Sequence, residues 1–340
     1  MGYLDPELFT LLEDLQRDLR AVFGTRNAAT LALTGTGMAG MESCFANLVE
    51  PGDAVLIGVH GFFGQRMAEI AARYGAEVTV VEAEWGQPLN TDELAAAASR
   101  MPRLKVLACV HAETSTGVLQ PLEALAEIAR RQDAILVVDA VTSLGGLPVE
   151  IDGVGVDVCY SATQKCMGCP PGLSPISIGP RAMEAVAGRK SPVRSWYLDW
   201  RLLLDYWGGD HTYHHTVPVS LLMGFHESLR QIMEEGLTAR CARHKAVSER
   251  LMDGLMELGL APFACEGYRL PTLNAVTVPV GVDEGRIRSR LLREYGVEIG
   301  GGLGRLKGRI WRIGTMGESA TFRNVELLLG ALRRLLQEEM

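Results

Sequence analysis

Ile135-Leu136-Val137-Val138-Asp139 is a run of aliphatic residues ended by an acid, and 26 residues beyond that acid stands the lysine of Ser161-Ala162-Thr163-Gln164-Lys165. Four consecutive apolar residues without alternation describe a strand covered on both faces, as in a parallel sheet flanked by helices. In open sheets of that kind ligands gather at the carboxyl ends of the strands, where Asp139 falls. Lys165 is one of five lysines, and Lys105, Lys190, Lys245 and Lys307 each have an arginine within two residues. Lys165 has none and sits among small, polar and sulfur-bearing side chains. A lysine in that setting loses its proton readily and becomes a nucleophile toward an aldehyde.

Outward from this pair the pattern repeats. Strand-like runs occur at 29–33, 54–59, 77–81, 106–110, 156–160 and 175–178, with helical segments such as 63–74 and 91–100 between them. The alternation predicts an α/β fold with a mostly parallel sheet. Ahead of it, Leu8, Leu11, Leu12, Leu15, Leu19 and Val22 recur at helical spacing, opened by Asp5-Pro6 and closed by Gly24. After Pro218 the texture changes to helices at 221–235 and 237–258, a strand at 274–280, a helix at 285–295, a strand at 309–313 and a helix at 321–338. We expect a large domain over residues 1–235 and a smaller α+β domain over 236–340, divided near Gly236.

The composition, 47% hydrophobic and 22% charged over 340 residues, suits a globular enzyme. A net charge of −8 argues against nucleic acid as a partner. No stretch approaches the ~20 apolar residues of a membrane span, and the N-terminus lacks the basic and apolar regions of a secretory signal. Seven cysteines without a framework predict reduced thiols and a cytoplasmic setting. Cys166 and Cys169 form a lone C-x-x-C, and His214-His215 has no carboxylate at ligand spacing, so no metal is expected.

Thr34-Gly35-Thr36-Gly37 follows the strand at 29–33 and precedes a helical run at 38–49. Glycines let the backbone approach a ligand, the N–H groups of a helix start favour a phosphate dianion, and threonine hydroxyls add donors. The turn lacks the Gly-Lys-Ser/Thr of a Walker loop and the G-x-G-x-x-G spacing of a dinucleotide fold. Each feature has an ordinary reading by itself: a turn glycine, an aspartate capping a helix, a lysine on a surface loop. Together they describe one ligand, pyridoxal 5′-phosphate (PLP), which offers an aldehyde to Lys165, a ring nitrogen to Asp139 and a phosphate to the helix start.

Further stretches occur in order along the chain: Gly61-Phe62-Phe63-Gly64, Glu113-Thr114-Ser115-Thr116-Gly117, Val138-Asp139-Ala140-Val141-Thr142, Pro170-Pro171-Gly172, Tyr213-His214-His215-Thr216, Gly301-Gly302-Leu303-Gly304 and Arg312-Ile313-Gly314. With these the chain resembles the alanine–glyoxylate / serine–pyruvate aminotransferases, class V members of PLP fold type I. The resemblance implies that Thr36, Gly37 and Met38 cradle the phosphate with Gln164. It implies that Phe63 stacks on the pyridine where many members have tryptophan, that Val141 lies against the other face, and that Thr114 approaches the phenolic oxygen. Tyr213 and Thr216 match residues that reach the phosphate of the neighbouring subunit, implying a homodimer with sites completed in trans. Arg312 matches the arginine that grips the substrate carboxylate.

The implied reaction moves the amino group of alanine or serine to glyoxylate or pyruvate by a ping-pong cycle. Ureidoglycine is the alternative donor. A same-fold lyase, such as a cysteine desulfurase, is a second class, although Cys241 and Cys265 lie outside any Gly/Ser/Ala-rich loop. A PLP-binding or interaction protein is a third. At its start the chain departs from the pattern: relatives carry a longer arm before Gly2-Tyr3-Leu4-Asp5-Pro6. Absence of that arm from the native chain would weaken the dimer wrap and open one wall of the pocket.

Overall fold

Seven strands form the main sheet of the computed structural model, which describes residues 2, 5–208 and 210–339; Tyr3 and Leu4 of the N-terminal motif lie outside the described residues. They are β1 (Ala29–Thr34), β2 (Ala54–Val59), β3 (Glu77–Glu82), β4 (Leu104–Val110), β5 (Ile135–Asp139), β6 (Val158–Tyr160) and β7 (Leu173–Ile178). Their spatial order is β1-β7-β6-β5-β4-β2-β3, and only β7 runs against its neighbours. Every residue of β5 is buried, because helices cover both faces, whereas edge strand β3 has no fully buried residue. This is the α/β architecture with a mostly parallel sheet that the sequence predicts.

β6 starts two residues later than the apolar pattern at 156–160 suggests. Ahead of it the Asp157 amide donates to the Leu136 carbonyl at 3.1 Å, while its Oδ2 accepts the Leu136 amide at 2.8 Å and pairs with Arg181 at 3.0 Å. Helix α1 (Pro6–Phe23) buries the leucines of its apolar stripe, with the Asp5 side chain accepting the Glu7 amide at its start. Helices α2 (Gly37–Leu48) and α3 (Phe62–Arg73) each begin just after the carboxyl end of a strand. Parallel strands deliver these helix starts to one edge of the sheet.

The C-terminal part forms a second, antiparallel sheet of β8 (Leu273–Thr277), β9 (Gly300–Gly301) and β10 (Ile310–Gly314), in the order β8-β10-β9. β8 stops at Thr277, ahead of Pro279, which has no amide to donate. Helices Leu237–Glu257, Glu284–Tyr295 and Phe322–Glu339 pack a separate apolar cluster that includes Leu251, Leu291, Trp311 and Leu332. No helix among the described residues is long and apolar enough to cross a membrane.

One buried arginine joins this part to the lysine-bearing loop. Arg240, 1% exposed, donates to the carbonyls of Gly145 at 3.1 Å and Cys166 at 2.9 Å, and to Glu235 at 2.7 Å and Glu318 at 3.0 Å. Beside it, a Cβ on Gly317 would lie 3.0 Å from the Cα of Gly168, so the two backbones touch. Arg243 and then Arg240 hold the Glu235 carboxyl down at about 2. Arg240→Met leaves the Gly145 and Cys166 carbonyls without their donor and removes one of the two arginines that hold Glu235. It should cost about 3 kcal/mol in denaturant unfolding, as expected when one partner of a buried pair is removed. Arg240→Lys, which keeps the charge but loses the planar fork, should recover only part of that loss.

Candidate active site

Asp139 ends β5 with its carboxylate buried and two donors fixing it: the Val141 amide at Oδ1, 2.8 Å, and the Tyr160 hydroxyl at Oδ2, 2.7 Å. Tyr160 ends the adjacent parallel strand, directly in register with Asp139. Burial pushes the Asp139 carboxyl up to about 6, against the pull of Val141, Tyr160 and the Lys165 charge. Lys165 lies in the loop after β6, half-buried. Its proton affinity is lowered, first by burial and then by the positive charge of Arg312, with Cys166 and Asp139 opposing. The acid and the amine thus face one cavity with their protonation loosened in opposite senses.

The start of α2 forms another wall of that cavity, through Thr36, Gly37 and Met38. The left-handed Gly35 (φ 145°) turns the chain out of β1, and its amide donates to the Gly172 carbonyl at 2.9 Å. Thr36 is the N-cap residue, but its side chain does not cap the helix, and the first helical amides have no intrahelical acceptor. A Cβ on Gly37 would lie 3.0 Å from the Ala162 Cβ and 3.1 Å from Val141 Cγ2, so the absence of a side chain keeps this approach open. Phe63, the second residue of α3, Thr114 after β4, Val141 and exposed Gln164 also line it.

Arg312 stands in β10, half-buried, with Nε donating to Gly301 at 2.7 Å and Nη1 to the Thr114 carbonyl at 3.2 Å. It is outside the cavity lining, yet the Thr114 contact and its effect on Lys165 place it beside the cavity. Tyr213 and Thr216 are also outside the lining: they are exposed, and their hydroxyls meet at 3.0 Å. Their segment is tied to the β1–α2 turn by His215 Nε2, 2.8 Å from the Thr34 hydroxyl. His214 and His215 meet Nδ1 to Nδ1 at 2.7 Å.

Sequence reasoning missed Tyr160 as the second anchor of Asp139, since the strand order pairing them is invisible in one dimension. It also passed over Glu113, a fully buried carboxylate beside Thr114.

A lysine, a buried acid and an open helix start meet at the carboxyl edge of this sheet, the arrangement of a fold type I enzyme. The chain belongs to the class-V aminotransferases: the family profile described as Aminotransferase class-V matches residues 3–305. It is 40% identical over 342 residues to an alanine–glyoxylate aminotransferase of Drosophila melanogaster, covering 99% of this chain and 86% of that one. The solved structure of an alanine–glyoxylate aminotransferase from Nostoc sp. superposes with a TM-score of 0.97 at 46% identity, covering 99% of this chain and 89% of the other. A ureidoglycine–glyoxylate aminotransferase structure from Bacillus subtilis gives a TM-score of 0.97 at 37% identity, covering 100% and 87%. The protein is a transaminase of a PLP-dependent family, and the donors around the cavity fit that coenzyme: amides for a phosphate, an acid for a ring nitrogen, an amine for an aldehyde.

Because the folded-state value of Asp139, about 6, lies above its ordinary 3.8, this carboxyl favours folding below pH 3.8 and loses that contribution as pH rises through 6. In coenzyme-free protein, the stability of the wild type relative to Asp139→Asn should therefore fall between those values and level off above them. Urea titrations of both proteins across that range measure it.

Proposed function

We propose that the protein transfers the amino group of a small amino acid, alanine or serine, to glyoxylate or pyruvate, with PLP held on Lys165. The observation that carries this reading is the meeting, in and beside one cavity, of Lys165, Asp139, the α2 start and Arg312. When bound, PLP supplies an aldehyde carbon for amines and a cationic ring that accepts the electrons of the substrate Cα–H bond. Asp139 keeps the ring nitrogen protonated, and Val141 N–H and Tyr160 OH hold its two oxygens in place for that task. The Gly37 and Met38 amides, Thr36 and Gln164 hold the phosphate. Phe63 and Val141 cover the two ring faces, and Thr114 approaches the phenolic oxygen. Arg312 takes the substrate carboxylate and so aims the Cα–H bond. Lys165 Nζ would take the Cα proton and later return it.

Ureidoglycine is the second donor to test, since relatives named for alanine and for ureidoglycine match the chain to a similar degree. A desulfurase is disfavoured, because Cys241 lies within helix Leu237–Glu257 and the Cys265 amide is anchored to the Gly86 carbonyl at 2.9 Å. The separate apolar clusters support a division of the chain near Gly236 into domains 1–235 and 236–340. Seven free thiols suit a reducing, cytoplasmic compartment. Exposed Tyr213 and Thr216, outside the cavity of their own chain, suit a homodimer in which each chain completes the phosphate site of its partner.

Borohydride reduction of PLP-loaded protein followed by peptide mapping should fix the coenzyme on Lys165. Alanine should bleach the visible band of the unreduced protein, and glyoxylate restore it. Lys165→Ala should bind PLP without fixing it and lose about 100-fold or more in turnover, the range of a lost general base. Label on another lysine would defeat the assignment. The trans arrangement makes a separate prediction. Mixed dimers of Lys165→Ala and Tyr213→Ala chains should contain one intact site and bind PLP there as tightly as wild type, while either parent dimer does not turn over normally. Uncombined behaviour in the mixture would place Tyr213 in its own chain's site.

A further inference from the structure

We propose that Glu113 is a positioning residue for the transamination, a clamp that ties the start of α3 to the Thr114 loop and so sets Phe63 and Arg312 together. The inference rests on the functional reading above. Glu113 has no exposed surface. Its Oε2 accepts the amides of Phe63 at 3.1 Å and Gly64 at 3.3 Å, and its Oε1 accepts the Ser115 amide at 3.0 Å and hydroxyl at 2.6 Å. The Ser115 hydroxyl oxygen in turn accepts the Phe62 amide at 2.8 Å. Three amides at the start of α3 are thus satisfied by residues some fifty positions away, and not by the helix's own N-cap residue, Gly61, which has no side chain to offer.

Gly61 is glycine for a steric reason here. A Cβ at that position would stand 2.3 Å from the Glu113 Cγ and 2.5 Å from the Ser115 hydroxyl oxygen. The site therefore admits the carboxylate only where the N-cap residue has no side chain. Four donors and no acceptor face the two oxygens, so a carboxylate suits the place and an amide does not: a glutamine must turn an NH2 group against two of those donors. The α3 start contributes a favourable positive end, although burial still pushes the Glu113 carboxyl up to about 7.

The clamp reaches three groups of the site. Phe63 follows the first residue of α3, so the anchoring of that turn fixes where its ring stands. Thr114 lies between the two clamped residues, and its carbonyl receives Arg312 Nη1. Burial lowers the proton affinity of Arg312, and the Glu113 charge opposes that loss. One carboxylate therefore registers the coenzyme's ring wall against the arginine proposed for the substrate carboxylate.

A double-mutant cycle tests this by a readout other than turnover. PLP dissociation constants are measured by equilibrium dialysis for wild type, Glu113→Gln, Phe63→Leu and the double variant, with Thr36→Val as a reference partner. Each single change should weaken PLP about fivefold to tenfold, the scale of a lost aromatic contact. Glu113→Gln should add little in the Phe63→Leu background but multiply the effect of Thr36→Val, because only the first pair shares an interaction. Glu113→Gln should also raise KM for alanine more than it lowers kcat. If Glu113→Gln does not fold, Ser115→Ala, which removes one arm of the clamp, takes its place with the same pattern at smaller size. Effects that multiply with Phe63→Leu, or PLP affinity and KM within twofold of wild type, overturn the clamp while leaving the functional reading intact. A wild-type protein that takes up no PLP overturns both.

Discussion

A carboxylate removed from water has to be answered by donors or by a cation, and Asp139 is answered by too few donors to settle it. Two hydrogen bonds, from Val141 and Tyr160, hold its oxygens, yet its proton affinity still rises with burial. A positive partner inside the cavity would lower that proton affinity again and hold the carboxylate ionised more firmly. The sheet makes this arrangement unavoidable. β5 is buried along its whole length, its last residue sits at the carboxyl edge, and the neighbouring parallel strand delivers Tyr160 in register with it. The geometry of a parallel sheet, more than any local motif, puts an unmet negative charge beside a helix start and an amine.

Lys165 depends on the second sheet as well as the first. The loop that carries it is bonded through the Cys166 carbonyl to Arg240, and the same guanidinium holds Gly145, downstream of Asp139. Arg312 comes from the C-terminal sheet and touches the Thr114 carbonyl of the main one. A small displacement between the two sheets therefore moves the amine, the acid's loop and the arginine relative to one another. Contact of the Gly168 and Gly317 backbones leaves little room for such slippage.

What could be read from sequence followed from local physics. The aliphatic run before Asp139, the leucine spacing of α1 and the solitary placement of Lys165 each carry their meaning within a few residues. Gly35 and Gly37 gained theirs only in company with Asp139 and Lys165. Other features depend on partners brought from afar. Arg312 reads as a strand arginine until Thr114, 198 residues away, is set beside it. Tyr160 gains its role from strand order, and Glu113 from a helix start near residue 62. The reversal of β7 also depends on the strands it meets, β1 and β6. For Tyr213 and Thr216, a single chain supplies neighbours but not the surface they would meet.

The charges around the cavity have a consequence for timing under the proposed reaction. Burial and then Arg312 lower the proton affinity of Lys165, which favours its unprotonated form for capture of the coenzyme's aldehyde. A substrate carboxylate paired with Arg312 neutralises the nearby positive charge that opposes protonation of the amine. Lys165 then becomes the stronger base at the moment when the Cα–H bond is aimed and its proton must be taken. The carboxylate anchor therefore does two things with one contact: it orients the substrate and it sets the basicity of the group that acts on it.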